Sequence, residues 1–420
     1  MPCILLLCLN YMLRVPKVIL LIESSRASGR ALLRGIADFS RHHGPWSFSW
    51  EPAGLEKVQP LLETGDADGI ILRDVEGAEE IVAYGLPTVV VGHRKTEIPG
   101  MVNVVTDSEA IGRMGAEHLL GCGFKHFAFC GYEKTSSENI TWSEIRMESF
   151  CKRIREAGFE NPPQYALSEP GKDWSQKWHS LAHWLNALPK PVGVMACNDD
   201  CGQRVMEVCK LIGLTVPDWV GLIGADNDEV VCGLTDPPMS SIAINFERAG
   251  YEAATALDGL MRQSRVVPPR ITAVASHVAA RRSTDFVAAE EPHLTKALRL
   301  IRDRARSGVT VNEVAQSSGL SRRTLEKRFR KLLGRSVLDE IRRVRTDQIA
   351  QLLVETDLPV AQIADLLGFV DTQHIARYFR AGKHTSPLAY RKSYGPPGLV
   401  EWCSQNGDLF TQSGVVPVLQ

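Results

Sequence analysis

The sequence has no uninterrupted apolar run of the roughly 18 residues that a membrane-spanning helix needs. Its most apolar stretch, MPCILLLCLNYML at the N-terminus, is too short for a span and lacks the basic residues that open a secretory signal. Residues 1–15 are expected to form a flexible extension, and Met12 reads as the start of translation. The ten cysteines show no paired spacing, and Cys197, Cys201 and Cys209 fit no common zinc pattern. Reduced thiols, no metal and no cofactor are expected, in keeping with a cytoplasmic protein. There is no GxSxG, P-loop or HExxH motif. HSLAH (179–183) sets His179 and His183 one turn apart but has no Glu between them, so it reads as a helix face.

A net charge is also almost missing, since 48 Lys and Arg face 49 Asp and Glu. The balance is uneven along the chain. Residues 293–394 hold 20 basic and 10 acidic residues, leaving 28 basic against 39 acidic elsewhere. A basic C-terminal block on an acidic body points to a nucleic-acid-binding module attached to something else. At 420 residues, 44% hydrophobic, the chain can bury a sizeable core in two or three domains.

Between residues 16 and 284, short apolar runs alternate with helical patterns. KVILLIE (17–23), ADGIIL (67–72), PTVVVG (87–92), HFAFCG (126–131), GVMACN (193–198) and VGLIGAD (220–226) read as buried strands. GRALLRGIADFSRHH (29–43) and EAIGRMGAEHLLGCG (109–123) read as helices. Such alternation predicts mainly parallel sheets covered on both faces, and the length predicts two α/β lobes. Ligands of open parallel sheets bind at the carboxyl ends of the strands. The polar residues found there are ESSRASGR after the first strand, Asn198-Asp199-Asp200, and Asp226-Asn227-Asp228. Each cluster alone also suits a turn or a helix cap.

Residues 285–293 read as a linker, residues 294–394 as purely helical, and residues 395–420 as a flexible tail. The helical block repeats itself. VNEVAQSSGLSRRTLEKRF (311–329) parallels VAQIADLLGFVDTQHIARYF (360–379), with Val311, Val314, Ala315 and Gly319 matching Val360, Ile363, Ala364 and Gly368. Each copy is a helix, a glycine turn and a second helix, the helix-turn-helix pattern. In the first copy Ser321 caps the second helix, Arg322 and Arg323 open it, and Thr324, Lys327 and Arg328 are exposed, while Leu325 and Phe329 point inward. Positive charge in a first turn opposes the helix dipole, so its presence favours contact with DNA. In the second copy Asp371 or Thr372 is the cap, and Gln373, His374 and Arg377 are exposed. Arg342, Arg343 and Arg345, on the helix that joins the copies, either touch phosphate or form a solvated face.

Residues 294–393 resemble the AraC/XylS class of transcription regulators through EVAQSSGLSRRTLEKRFRKLLG, LLVETDLPVAQIADLLGFVDTQHIARYFR and SPLAYR. Val337 stands where the class usually has proline, and His384 where it usually has glycine. The body resembles LacI/GalR-type domains through VVTDSEAIGRMGAEHLLGCGFKHFAFCG, ACNDDCGQRVMEVC, VGLIGADNDE and VAARRSTDF. Together these resemblances imply an α/β two-lobed periplasmic-binding-protein-like sensor domain followed by an all-α domain with two helix-turn-helix units. The pairing is similar to the xylose-responsive branch of the class. It implies a cytoplasmic homodimer that binds double-stranded DNA and D-xylose, activates xylose-use genes and meets RNA polymerase, with no membrane partner. By motif, Arg146, Asp199 and Asp226 are the sugar ligands, Arg30 and Ser25 are further candidates, and Trp142 is either a sugar platform or a core residue.

Three other readings stay open on sequence alone. Asp199 and Asp226 could be an acid/base pair for sugar hydrolysis. The body could be a transport binding protein, which the two DNA-binding units argue against. The same architecture could sense another small polar ligand.

Overall fold

The computed structural model describes residues 14–51, 62, 66–74, 78–92, 97–133, 141–167, 174–263, 268–285 and 292–395. Residues 1–13 and 396–420, and residues 286–291 of the expected linker, lie outside them. The chain divides into two compact units. The first takes β1 (Lys17–Leu21), α1 (Ala27–His43), β2 (Ser47–Trp50), β3 (Gly69–Arg73), α2 (Ala78–Val82), β4 (Thr88–Val91) and β5 (Val102–Thr106). The second takes α3 (Ser108–Gly121), β6 (His126–Tyr132), α4 (Thr141–Glu156), β7 (Gln164–Leu167), α5 (Trp174–Ala187), β8 (Val192–Ala196), α6 (Asp199–Leu211), β9 (Val220–Asp226), α7 (Glu229–Leu234) and β10 (Ser240–Ile244). The chain returns to the first unit for α8 (Phe246–Met261) and β11 (Arg270–Ala273). It then rejoins the second for β12 (Ala275–Ala279), a 3-10 turn at Arg282–Thr284 and all that follows.

Each unit holds a six-stranded sheet. The first runs β11-β5-β4-β3-β1-β2 and is parallel throughout. The second runs β12-β10-β9-β8-β6-β7 and is parallel except for β12, which pairs antiparallel with β10. The strands expected from apolar runs are β1, β3, β4, β6, β8 and β9. Most of their residues are buried, because helices cover both faces. Four of the six unforeseen strands, β2, β7, β11 and β12, are sheet edges. An edge strand has a single neighbour, and β2 and β7 are largely exposed, so neither needs a continuous apolar run. The other two carry buried polar residues: Asn103 of β5 is bonded to the 98–101 loop, and Ser240 and Ser241 open β10.

The C-terminal part of the second unit is all helix: α9 (Pro292–Asp303), α10 (Val311–Ser318), α11 (Arg322–Leu333), α12 (Val337–Glu355), α13 (Val360–Leu366), α14 (Thr372–Lys383) and α15 (Pro387–Tyr394). A capping box of Thr310 and Glu313 starts α10, and Gly319 ends it in the left-handed conformation at φ 72°. Ser336 starts α12 with a second capping box, so Val337 occupies the first helical position without the proline usual there. His384 ends α14 left-handed at φ 57°, the geometry a glycine would adopt without strain.

Two small cores fill the two repeats. Leu294, Leu298, Ile301, Val314, Leu325 and Phe329 pack with Val337 and Ile341 in one. Ile363, Leu367, Ile375, Phe379 and Tyr390 pack with Ile349, Ala350 and Leu353 in the other. One helix, α12, therefore gives its first turns to one repeat and its last turns to the other. The helical part also rests on the second sheet and its helices. The Tyr390 hydroxyl donates to the Ser276 carbonyl (2.6 Å), His277 Nε2 meets Glu355 Oε1 (3.2 Å), and Arg335 Nη2 donates to the Gly121 carbonyl (2.6 Å).

Candidate functional site

The polar strand ends of the second unit converge. Asp226 is the last residue of β9, and Asn198 and Asp199 follow β8 after Cys197. Asn198 caps α6 by accepting from Cys201 N (2.9 Å), which fixes Asp199 at the first turn of that helix. Arg146 reaches the same place from α4. Its side chain is 3% exposed, its Nη1 donates to the Cys197 carbonyl, and its Nη2 lies 3.9 Å from Asp226 Oδ1. The Trp142 ring lies under the guanidinium, 4.7 Å from its centroid to Cζ, and is itself set edge-on by Tyr132. Arg146 Nε is buried with no hydrogen-bond partner among the described residues. Burial pushes the Arg146 guanidinium below its usual pKa, against the pull of Asp226, Cys197 and Asp199. A buried cation with an unmet donor is an unfinished site, since such donors are nearly always satisfied in folded proteins.

Asp199 and Asp226 differ in what they offer. Asp199 Oδ1 accepts from the Ser241 hydroxyl (2.6 Å) and Oδ2 from the Asp228 amide (2.8 Å). It is 2% exposed, and Gly224 lies so near that a Cβ there would meet Asp199 Oδ1 at 2.2 Å. Burial, then the neighbouring Asp226 charge, pushes the Asp199 carboxyl well above its ordinary range, while the two donors draw it back. Asp226 keeps 26% of its side chain exposed. Its backbone is left-handed (φ 106°), as is that of Asn227 (φ 52°). Two successive non-glycine residues in this region carry strain on the order of 1–3 kcal/mol each, a signature of functional loops.

Arg146, Asp199, Asp226 and Trp142 are thus brought together. Ser25 and Arg30 belong to the first unit, after β1. There Ser25 Oγ donates to Glu23 (3.0 Å) and Arg30 Nη1 donates to the Ser24 and Ser25 carbonyls (2.9 and 2.8 Å). Ser241, a donor to Asp199, carries no local sequence signal, and Asp228, the other donor, is visible only as part of the polar strand-end cluster. Sequence reasoning passed over Arg281, whose Nη2 donates to Asn227 Oδ1 (2.7 Å). Arg281 sits in the quoted VAARRSTDF, but nothing local marks its role.

The second candidate surface lies on the helical repeats. Ser321 caps α11 and accepts from Thr324 N (3.2 Å). Arg322, Arg323 and Lys327 are exposed, Thr324 and Arg328 are half-buried, and Leu325 and Phe329 are fully buried. The first turn of α11 contains no acidic residue. Asp371, rather than Thr372, caps α14 and accepts from His374 N (2.6 Å). Thr372, Gln373, His374 and Arg377 are exposed. On α12, Arg343 and Arg345 form no solvated face. Arg343 pairs with Glu340 and Asp347. Arg345 stacks on Phe369 (4.4 Å) and donates to the Leu367 carbonyl (2.6 Å). Arg342 is exposed and lines a groove of 630 Å³ with His374, Arg377 and Lys383. The described residues contain no group of three or more His, Cys, Asp or Glu able to hold a metal. No described helix is long and apolar enough to cross a membrane.

Comparison with known proteins agrees with this architecture. Residues 116–284 match the periplasmic binding protein-like domain family and residues 314–393 the helix-turn-helix domain family. The xylose operon regulatory protein of Escherichia coli strain K12 is 27% identical over 384 residues, spanning 89% of this chain and 96% of that protein. The multiple antibiotic resistance protein MarA of Salmonella typhimurium is 31% identical over 111 residues, 26% of this chain and 84% of that protein. A solved structure, that of the xylose-binding transcription activator xylR, superposes with a TM-score of 0.59 at 26% identity. The match covers 91% of this chain and 99% of that one.

Proposed function

Since the chain belongs to the AraC/XylS class of transcription regulators, with a periplasmic-binding-protein-like sensor ahead of its two helix-turn-helix repeats, we propose that it is a sugar-responsive activator whose effector is D-xylose. The observation that carries the sugar reading is the Arg146–Asp226 pair. It offers a buried donor with an unmet N–H beside a partly open carboxylate, at the carboxyl ends of parallel strands. Vicinal hydroxyls need such paired donors and acceptors. The names of the similar xylose regulators choose the sugar. In this reading Asp226 and Arg146 touch the hydroxyls. Asp199, both of whose oxygens already accept from the protein, holds the 226–228 segment in place. Trp142 backs the arginine rather than the sugar. Ser25 and Arg30, at the end of β1, are the first unit's candidate polar residues for a sugar.

The output runs through α11 and α14. Ser321, Arg322, Arg323, Thr324, Lys327 and Arg328, with Thr372, Gln373, His374 and Arg377, face the operator, the arginines on phosphate or guanine and Gln373 on adenine. The regulator works as a cytoplasmic homodimer, so that four helix-turn-helix units engage tandem half-sites and can meet RNA polymerase. The effector acts by favouring one of two conformations that differ in affinity for DNA.

A thermal-shift series over pentoses and hexoses tests the sugar reading. D-Xylose at about 100 times its Kd should stabilise the protein by about 2.7 kcal/mol. Asp226→Ala should lose that shift while still binding DNA without effector. A different sugar giving the largest shift would keep the architecture and replace the ligand. An unchanged D-xylose shift in Asp226→Ala would remove Asp226 from the site.

A further inference from the structure

The strained Asp226–Asn227 segment is held at its backbone by Ser241, whose Oγ accepts from Asn227 N (3.0 Å), and at its side chain by a residue farther from the site. Arg281, just beyond β12, donates from Nη2 to Asn227 Oδ1 (2.7 Å) and from Nη1 to the Met239 carbonyl (2.9 Å). Its backbone closes on Ser240: Arg281 N donates to Ser240 Oγ (2.8 Å), and that hydroxyl lies 3.0 Å from the Arg281 carbonyl. Ser240 Oγ also meets Thr284 Oγ1 (2.7 Å), and Thr284 Oγ1 meets His118 Nε2 (2.8 Å). Ser240, Ser283 and Thr284 are all at most 1% exposed, and Ser283 Oγ bonds both Ser240 N (2.8 Å) and the Leu222 carbonyl (2.6 Å).

This network ends against the DNA-binding helices. The residue after Thr284, Asp285, pairs with Arg302 and lies 3.9 Å from Arg299, both on α9. His118 sits on the last turn of α3, whose final residue Gly121 accepts from Arg335 at the junction of α11 and α12. Arg335 is held in turn by Glu340, which also binds Arg343. Hydrogen bonds, joined by the last turn of α3 and by the Thr284–Asp285 peptide, thus lead from the end of β9 to α9 and to the helix that follows the first DNA-reading helix. Every member lies in the second unit.

We propose that Arg281 is the residue that transmits occupancy of the Asp226 site to the DNA-binding helices, through Asn227 on one side and the Ser240–Thr284 pair on the other. It rests on the reading that Asp226 touches the effector. A ligand can bias a distant element only if the two share something with two alternative arrangements. Two adjacent left-handed residues are such an element, because their strain is retained only while neighbours hold them. The Arg281 side chain bonds that element and the Met239 carbonyl, while its backbone bonds Ser240, which meets Thr284 in the segment leading into α9. Its long, forked side chain has donors enough to hold Asn227 and Met239 at once. Burial and the nearby Arg343 and Arg302 charges press the His118 ring down to about 3, so the far end is neutral at physiological pH and joins by hydrogen bonding rather than by charge.

The test uses the full-length protein, D-xylose as the probe, and a DNA duplex selected from a random pool by the wild-type protein. Arg281→Ala and Asn227→Gly are compared with Asn227→Asp, which keeps the acceptor. Glycine at position 227 relieves the left-handed backbone, so that variant should fold even if Arg281→Ala does not. A wild-type gain in DNA affinity on the order of 10-fold with saturating D-xylose should fall below about 2-fold in Arg281→Ala and Asn227→Gly and persist in Asn227→Asp. DNA affinity without sugar should match the wild type in all three. Full wild-type gain in both Arg281→Ala and Asn227→Gly would overturn the proposal. Hydrogen exchange on the sugar-free protein gives a second readout that does not depend on the effector's identity. Asn227→Gly should speed exchange at residues 282–285 and around Arg302. A change confined to residues 226–229 and 281 would overturn the proposal as well. A wild type that ignores D-xylose counts against the sugar reading alone, and the exchange result then decides the relay.

Discussion

At the scale of single residues, the site is a matter of which polar atoms remain unspent. Arg146 is placed by two contacts that the ligand does not supply, the Cys197 carbonyl and the Trp142 ring. Removing the ring should let the guanidinium wander. Trp142→Ala is expected to weaken effector binding by about 10-fold, the equivalent of one cation–π contact of roughly 1.4 kcal/mol. Trp142→Phe should recover part of the loss, and DNA affinity without effector should not move in either. Isothermal titration with D-xylose would show it, and equal affinity in Trp142→Ala would mean that the ring is mere packing. The position of Asp226 was legible because it ends an apolar run, where parallel sheets present ligands. The hydrogen-bonded setting of Asp199 was not. Its donors Ser241 and Asp228 lie 42 and 29 residues away, and only the fold makes them neighbours.

At the scale of elements, the repeated helix pairs carry the clearest sequence signal and two local departures from ideal chemistry. Arg322 and Arg323 sit in the first turn of α11, where the helix dipole disfavours them by a few tenths of a kcal/mol each. Arg322→Ala should therefore leave the melting temperature unchanged or slightly raised. It should weaken DNA binding and lower the slope of log affinity against log salt by about 1 if the arginine holds a phosphate. An unchanged affinity and slope would place Arg322 off the DNA. At the other departure, His384 holds a left-handed backbone at an exposed helix end. His384→Gly is expected to stabilise the protein by up to about 1 kcal/mol, read as a shift in the urea midpoint at constant slope. The periodicity of apolar residues revealed these helices, whereas edge strands such as β2 and β7 stayed hidden because partial burial asks little of their composition.

At the scale of the whole molecule, the near-zero net charge conceals both a basic reader and the internal pairs that seat it. Glu340 is fully buried between Arg335 and Arg343. Burial alone would raise its pKa, but Arg343 and Arg335 outweigh that and hold it at about 2, below the ordinary 4.5. A carboxylate depressed in the folded state contributes stability above its unfolded pKa and loses it as pH falls toward the folded value. The contribution is about 3 kcal/mol at neutral pH by that linkage. Glu340→Gln should thus be several kcal/mol less stable than the wild type at pH 7. The gap should narrow between about pH 4.5 and 2, as chemical denaturation at stepped pH would measure. A gap that stays constant over that range would refute the assignment. None of this was visible in the sequence, where Arg343 read as touching phosphate or forming a solvated face.

The sharing of α12 between the two cores bears on how the reader can be divided. The two helix-turn-helix copies match in sequence, yet neither closes its core without the shared helix. Excising the second would strip it of Ile349, Ala350 and Leu353, and excising the first would strip it of Val337 and Ile341. The two repeats are joint tenants of one beam, free to differ in what they read but bound to fold together.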